Sequence, residues 1–129
     1  MNAQELRIGN WLISARGIPQ KVAYLGDTIG FWNNCGGTDK HQKNPIISYD
    51  IDKIRPIPLT PEILEKCGFE HTVERFWRND PFEIKMLTMN AVVYYRPKGY
   101  DVLISWCKSL HQLQNLYYSL TGDELKIEL

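Results

Sequence analysis

Apolar residues repeat every second position through much of this chain and switch to a helical period in two places. Phe82, Ile84 and Met86 share one side against Glu83 and Lys85, while Tyr100, Val102, Ile104 and Trp106 oppose Asp101 and Ser105. Such alternation buries one face and wets the other, the pattern of an antiparallel sheet. It predicts strands over 73–78, 82–88, 91–96 and 100–106, joined by the turn formers Asn79-Asp80-Pro81, Met89-Asn90 and Pro97-Lys98-Gly99. Shorter runs at 11–15, 21–25, 28–32, 46–49 and 54–57 are separated by Gly- and Pro-containing breaks. Their close, even spacing predicts a small barrel or curled sheet.

The helical period appears first after Thr60. Thr60 caps free amides, Pro61 at the first helical position forfeits no hydrogen bond, and Glu62 faces the positive end of the helix dipole. Gly68 supplies the left-handed stop, with Phe69 folding back as its apolar contact. The second helix spans "SLHQLQNLYYSLTG" over 109–122, with Ser109 and Gln112 at capping-box spacing and Gly122 as terminator. Leu110, Leu113, Leu116, Tyr117 and Leu120 form its apolar stripe, which covers the preceding sheet. Leu125, Ile127 and Leu129 alternate with charges and predict a short closing strand.

The expected fold is therefore α+β. An SH3-like small β-barrel unit over 1–58 precedes a helix, a four-stranded antiparallel meander and a covering C-terminal helix over 59–129, packed as one body. The barrel likeness is architectural and says nothing about a ligand.

Composition narrows the function classes. A chain of 129 residues with 43% hydrophobic content is long enough for a buried core. Fifteen basic and fifteen acidic residues cancel, so no general field attracts phosphate backbones or anionic membranes. Residues 1–58 hold seven Lys/Arg against five Asp/Glu, and 59–129 hold eight against ten. The amino terminus lacks a signal-peptide layout, and no apolar run approaches the roughly 20 residues that cross a bilayer. Cys35, Cys67 and Cys107 are odd in number and lack a CxxC pair, which suits reduced thiols in the cytoplasm.

Three blocks, "ELRIGNW" at 5–11, "IPLTPEILEKCGF" at 57–69 and "HQLQNLYYSLTGDEL" at 111–125, resemble a family of short uncharacterised proteins of gut anaerobic bacteria, their prophages and mobile elements. The resemblance implies a phage or mobile-element accessory protein in the cytoplasm and carries over no catalytic residues.

The chain contains no GxGxxG, GK[ST], GxSxG or HExxH motif, which lowers the odds of dinucleotide, phosphate-loop, serine-hydrolase and zincin chemistry. Cys35, Asp39 and His41 fall within seven residues of the polar 33–45 loop, but zinc takes three or four ligands at other spacings. Gly36 and Gly37 serve turn geometry there, and no metal or cofactor is expected. Asp50 and Asp52 read as a solvated turn.

Aromatic residues are more numerous than a small core hides: Trp11, Trp32, Phe76, Trp77, Tyr94, Tyr95, Tyr100 and Trp106. The pairs Phe76-Trp77 and Tyr94-Tyr95 point to opposite faces of their strands, so one member of each is a candidate for exposure. Trp77 and Tyr95 with Arg75 and Arg96 form one candidate interaction surface; packing of that face on the first unit accounts for them equally. His111, Gln114, Asn115 and Tyr118 form a second candidate on the last helix, where capping and local hydrogen bonds are the competing explanation. The expected function is a non-enzymatic interaction module that binds a protein partner or self-associates, through an exposed aromatic strand face or the 33–45 loop. The alternatives are single-stranded nucleic acid held by the Arg-flanked aromatics, and a small-molecule binder or enzyme with an unrecognised pocket.

Overall fold

The first strand begins where Asn10 closes a tight turn. In the computed structural model, which describes residues 1–32, 46–88, 90–95 and 102–129, the Asn10 side-chain oxygen accepts from the Arg7 amide at 2.8 Å. The Asn10 amide donates back to the Arg7 carbonyl at 3.0 Å, and Gly9 takes a positive φ of 96° to let the chain turn. Asn10 is fully buried, and its carbonyl accepts from Val22 at 2.8 Å, tying the turn to the next strand. A buried amide satisfied in this way fixes the strand's start and register.

Five strands follow: β1 (Trp11–Ile13), β2 (Pro19–Leu25), β3 (Ile29–Trp32), β4 (Ile46–Tyr49) and β5 (Arg55–Pro56). They form one antiparallel sheet in the order β4-β3-β2-β1-β5, with a 3-10 turn at Ile51–Lys53 before β5. Leu12, Val22, Ile29 and Phe31 project to one side, where they meet Leu6 and Ile54 in a buried cluster. The other side presents Trp11, Lys21, Tyr24, Trp32 and Arg55. Gly30, opposite Tyr24 on this outer side, is a glycine because a Cβ there would sit 2.7 Å from Ile46 Cγ2 and 2.9 Å from Tyr24 Cβ.

The chain divides into two compact units, Met1–Ile57 and Pro58–Leu129. The second opens with α1 (Pro61–Lys66), whose start and stop signals both operate. Thr60 Oγ1 accepts from the Ile63 amide at 3.2 Å. At the far end Gly68, with φ 84°, donates to the Glu65 carbonyl, and Phe69 donates to the Leu64 carbonyl, each at 3.0 Å. These two bonds make a Schellman stop, with Leu64 and Phe69 both buried behind it.

The second sheet runs β10-β9-β8-β7-β6, all antiparallel, from β6 (Glu70–His71), β7 (Phe76–Asn79), β8 (Phe82–Met86), β9 (Ala91–Tyr95) and β10 (Val102–Cys107). It has five strands rather than the four expected. The run 73–78 does not form one strand: residues 73–75, with Glu74 at φ 48°, make the turn between an added edge strand β6 and β7. The expected strand at 125–129 is absent, although the Glu128 amide donates to the Lys66 carbonyl at 3.2 Å beside α1.

Helix α2 (Leu110–Thr121) lies on this sheet, with Leu110 and Leu113 fully buried and the Tyr117 ring 5.1 Å from that of Phe82. Gly122, at φ 79°, ends it and donates to the Tyr118 carbonyl at 2.8 Å. The reciprocal capping box does not form. Ser109 Oγ and His111 Nδ1 share a hydrogen bond of 3.1 Å instead, while Gln112 reaches one residue further back and accepts from the Lys108 amide at 2.8 Å.

The architecture is α+β, with two antiparallel sheets and few helices. The expected barrel is corrected in one respect: among the described residues neither sheet closes, because the strands at the edges of each do not pair. No described helix is long and apolar enough to cross a membrane.

Candidate functional site

Strand register decides which side chains of the second sheet are covered. Trp77 lies opposite Ile84, Ile84 opposite Val93, and Phe82 opposite Tyr95. Directly opposed residues point the same way, so all of these share the face that carries α2. The α1 end reaches this face as well, where Asn79 Nδ2 donates to the Cys67 carbonyl at 3.3 Å. The opposite face carries two rows. Phe76, Lys85, Val92 and Trp106 form one, and Glu70, Arg78, Glu83 and Tyr94 form the other.

Trp106 is 57% exposed on that face, while Val92 and Glu83 there are buried and Phe76, Lys85 and Tyr94 are half-buried. The Lys85 ammonium stands 5.6 Å from the Phe76 ring centre, a cation held against an aromatic face. Arg78 Nε pairs with Asp80 at 2.6 Å, and both side chains remain largely in solvent. A pair of this kind contributes about 0–1 kcal/mol to stability.

The sequence candidates fall on both sides. Trp77 is buried, with its ring 5.0 Å from that of His71, and Tyr95 is half-buried against Phe82 at 5.2 Å. Phe76 and Tyr94 are the members of each pair on the open face, so the assignment within the pairs is reversed. Arg75 is exposed in the turn before β7, and its carbonyl accepts from Met86 at 2.8 Å. His111 and Gln114 are buried, Asn115 is half-buried, and Tyr118 is exposed. The helix candidates therefore do not make a common outer surface. Arg96, Lys98, Tyr100 and the 33–45 loop with Cys35, Asp39 and His41 lie outside the described residues.

Trp106 itself was expected on the buried side. A register shift between Leu103 and Ser105 inserts one residue and reverses the alternation, so that Cys107 is buried and Trp106 exposed. A bulge of this kind leaves no period-two signature in the sequence. Lys85 and Val92 were legible as a row only once the register was known.

An open concavity of about 1200 Å³ lies among the α1 end, the α2 end and the C-terminal segment, with Cys67 and Tyr117 in its wall. Glu65, Asp123, Glu124 and Glu128 line it against Lys66 and Lys126. Burial pushes the Cys67 thiol up to about 12 and the Cys107 thiol up to about 11. A thiolate nucleophile needs the opposite shift. Among the described residues no group of three or more His, Cys, Asp or Glu side chains is placed to hold a metal ion.

These thiols give a direct prediction. At pH 8 alkylation of Cys67 and Cys107, read peptide by peptide, is at least about a hundredfold slower in the native chain than in urea, because the thiolate fraction falls tenfold per pKa unit. The native chain also retains protons that the unfolded chain releases above its thiol pKa of 9.0. Their contribution is therefore fully present below pH 9 and is lost as pH rises towards 11 and 12.

Compared with protein-family models, curated proteins and solved structures, the chain matches none.

Proposed function

We propose that this chain is a non-enzymatic interaction module that binds a protein partner or a second copy of itself through the open face of its second sheet. The observation that carries the reading is Trp106, 57% exposed at the β10 edge of a sheet face whose row continues through Val92 and Lys85 to Phe76, with Tyr94 on the neighbouring strand. Indole, phenol and guanidinium groups concentrate binding energy at protein interfaces, and mixed charge around them sets orientation. Arg78 and Lys85 share this face with the exposed Glu70 and a buried Glu83, which suits a protein surface of mixed charge better than a polyanion. That is why nucleic acid ranks second for this face.

The proposal extends to architecture and setting. In the first unit β5 returns beside β1, leaving β4 and β5 at the two edges, as a sheet curling toward an SH3-like barrel requires. The second unit is read as a meander under a covering helix, with β6 an added edge. The three sequence blocks support an accessory role in the cytoplasm of a gut anaerobe or its prophage.

Sedimentation velocity across a wide concentration range tests the reading, with Trp106→Glu as the variant. The expected result is mass that rises with concentration, or a protein retained from bacterial lysate, and loss of either in the variant. A monomer at every concentration that retains nothing Trp106→Glu fails to retain removes the proposal.

A further inference from the structure

The outer face of the first sheet has a different chemistry. Trp11 lies opposite Lys21, and Trp32 opposite Ile46. The Val22–Phe31 register, continued by one residue, sets Lys21 opposite Trp32. Gln20 supports that placement, since its Nε2 donates to the Trp32 carbonyl at 3.2 Å. Because Val22 and Phe31 are buried in the core, their neighbours Lys21 and Trp32 point outward. A row of Trp11, Lys21 and Trp32 results, its indoles two strands or about 10 Å apart.

The Lys21 ammonium stands 5.6 Å from the Trp11 ring centre. Trp32 is 51% exposed and Tyr24 48% exposed. Arg55 joins from the far edge, opposite Ile13, and is exposed. No outward-pointing residue of the described strands β1 to β5 is acidic.

We propose that this outer face binds single-stranded nucleic acid, with bases stacked on Trp32 and Trp11 and phosphates held at Lys21 and Arg55. Two exposed rings, Trp32 and Tyr24, and the half-buried Trp11 stand among cations without a carboxylate between them, and match a ligand that alternates flat apolar surfaces with negative charge. An acidic peptide satisfies the cations and leaves the indoles without a partner. The overall neutrality of the chain does not oppose this, because residues 1–58 carry seven Lys/Arg against five Asp/Glu and none of those five lies in a described strand. The reading is independent of Trp106, which belongs to the other sheet.

Fluorescence anisotropy on the full chain tests it, using a fluorescein-labelled twenty-nucleotide oligothymidylate and a labelled poly-glutamate peptide of equal length. Saturable binding of the oligonucleotide at low salt, weakening as salt rises, is the expected result. Trp32→Ala weakens it about tenfold, and Trp32→Phe, which keeps a stacking ring, loses less. Lys21→Ala reduces the slope of log affinity against log salt by about 0.7. Circular dichroism checks that each variant is folded, and Lys21→Ala carries the test if Trp32→Ala is not. Absence of saturable binding at low salt, affinity unchanged in folded Trp32→Ala and Lys21→Ala, or preference for the peptide overturns the proposal.

Discussion

Phe82→Ala lowers the stability of the second unit by about 3–5 kcal/mol, the range for emptying a buried aromatic site. Phe82 is fully buried at the head of β8, and its ring meets Tyr95 at 5.2 Å and Tyr117 at 5.1 Å. One side chain thus joins β8, β9 and α2. Its loss removes the transfer free energy of the ring and leaves a cavity between a sheet and a helix, neither of which collapses readily into it. Urea unfolding followed by circular dichroism should give a lower midpoint with an unchanged slope. Thermal unfolding should fall by more than about 10 °C. Val73→Ala, at a side chain 63% exposed, stays within about 0.5 kcal/mol and serves as the comparison. If Phe82→Ala shifts the midpoint no more than Val73→Ala, the joint between sheet and α2 is not where the structure puts it.

The same joint shows what a sequence of this kind reveals. The α1 boundaries were readable because each rests on a residue with a single strong local role: Thr60 as cap, Pro61 at the first position, Gly68 in the left-handed turn. Phe82 and Ile84 were readable as core because a charged residue separates them. Where two aromatic residues adjoin, as in Phe76-Trp77, alternation establishes that they diverge but not which one turns inward. That choice is made by pairing with Ile84, a contact between strands.

Tertiary pairing likewise hides the rest. The extra residue between Leu103 and Ser105 reverses the phase that exposes Trp106, and Glu74 at φ 48° interrupts an apparently continuous strand. On α2 the stripe of Leu110 and Leu113 was clear, yet His111 and Gln114 are buried beside it. Polar residues adjoining an apolar stripe read as surface until a neighbouring element widens the covered arc. The candidate sites suffered more than the fold for this reason. Core positions follow from periodicity along one strand, whereas the composition of an exposed face depends on the register of four.

Phe31→Ala should leave the first unit marginally stable or unfolded. Phe31 is fully buried, with its ring 6.2 Å from Tyr49, in a cluster with Leu6, Leu12, Val22, Ile29 and Ile54. A unit of about sixty residues buries only about 60% of its unfolded surface, and its stability is of order 3–9 kcal/mol. Replacing Phe31 by Ala costs about 3–5 kcal/mol, a large part of that total. Phe31→Leu retains most of the apolar volume and costs about 1–1.5 kcal/mol, so the two variants separate loss of packing from any special role of the ring. Hydrogen exchange is the measurement, with peptides covering β1 to β3 read against peptides covering β7 to β9. In Phe31→Ala the first set loses most of its protection, while in Phe31→Leu it is retained. Loss of protection in both sets means that the two units unfold as one. Protection of β1 to β3 equal to that of the unsubstituted chain means that the core does not lie on the Phe31 side of the sheet, and the outward assignment of Trp32 and Lys21 fails with it.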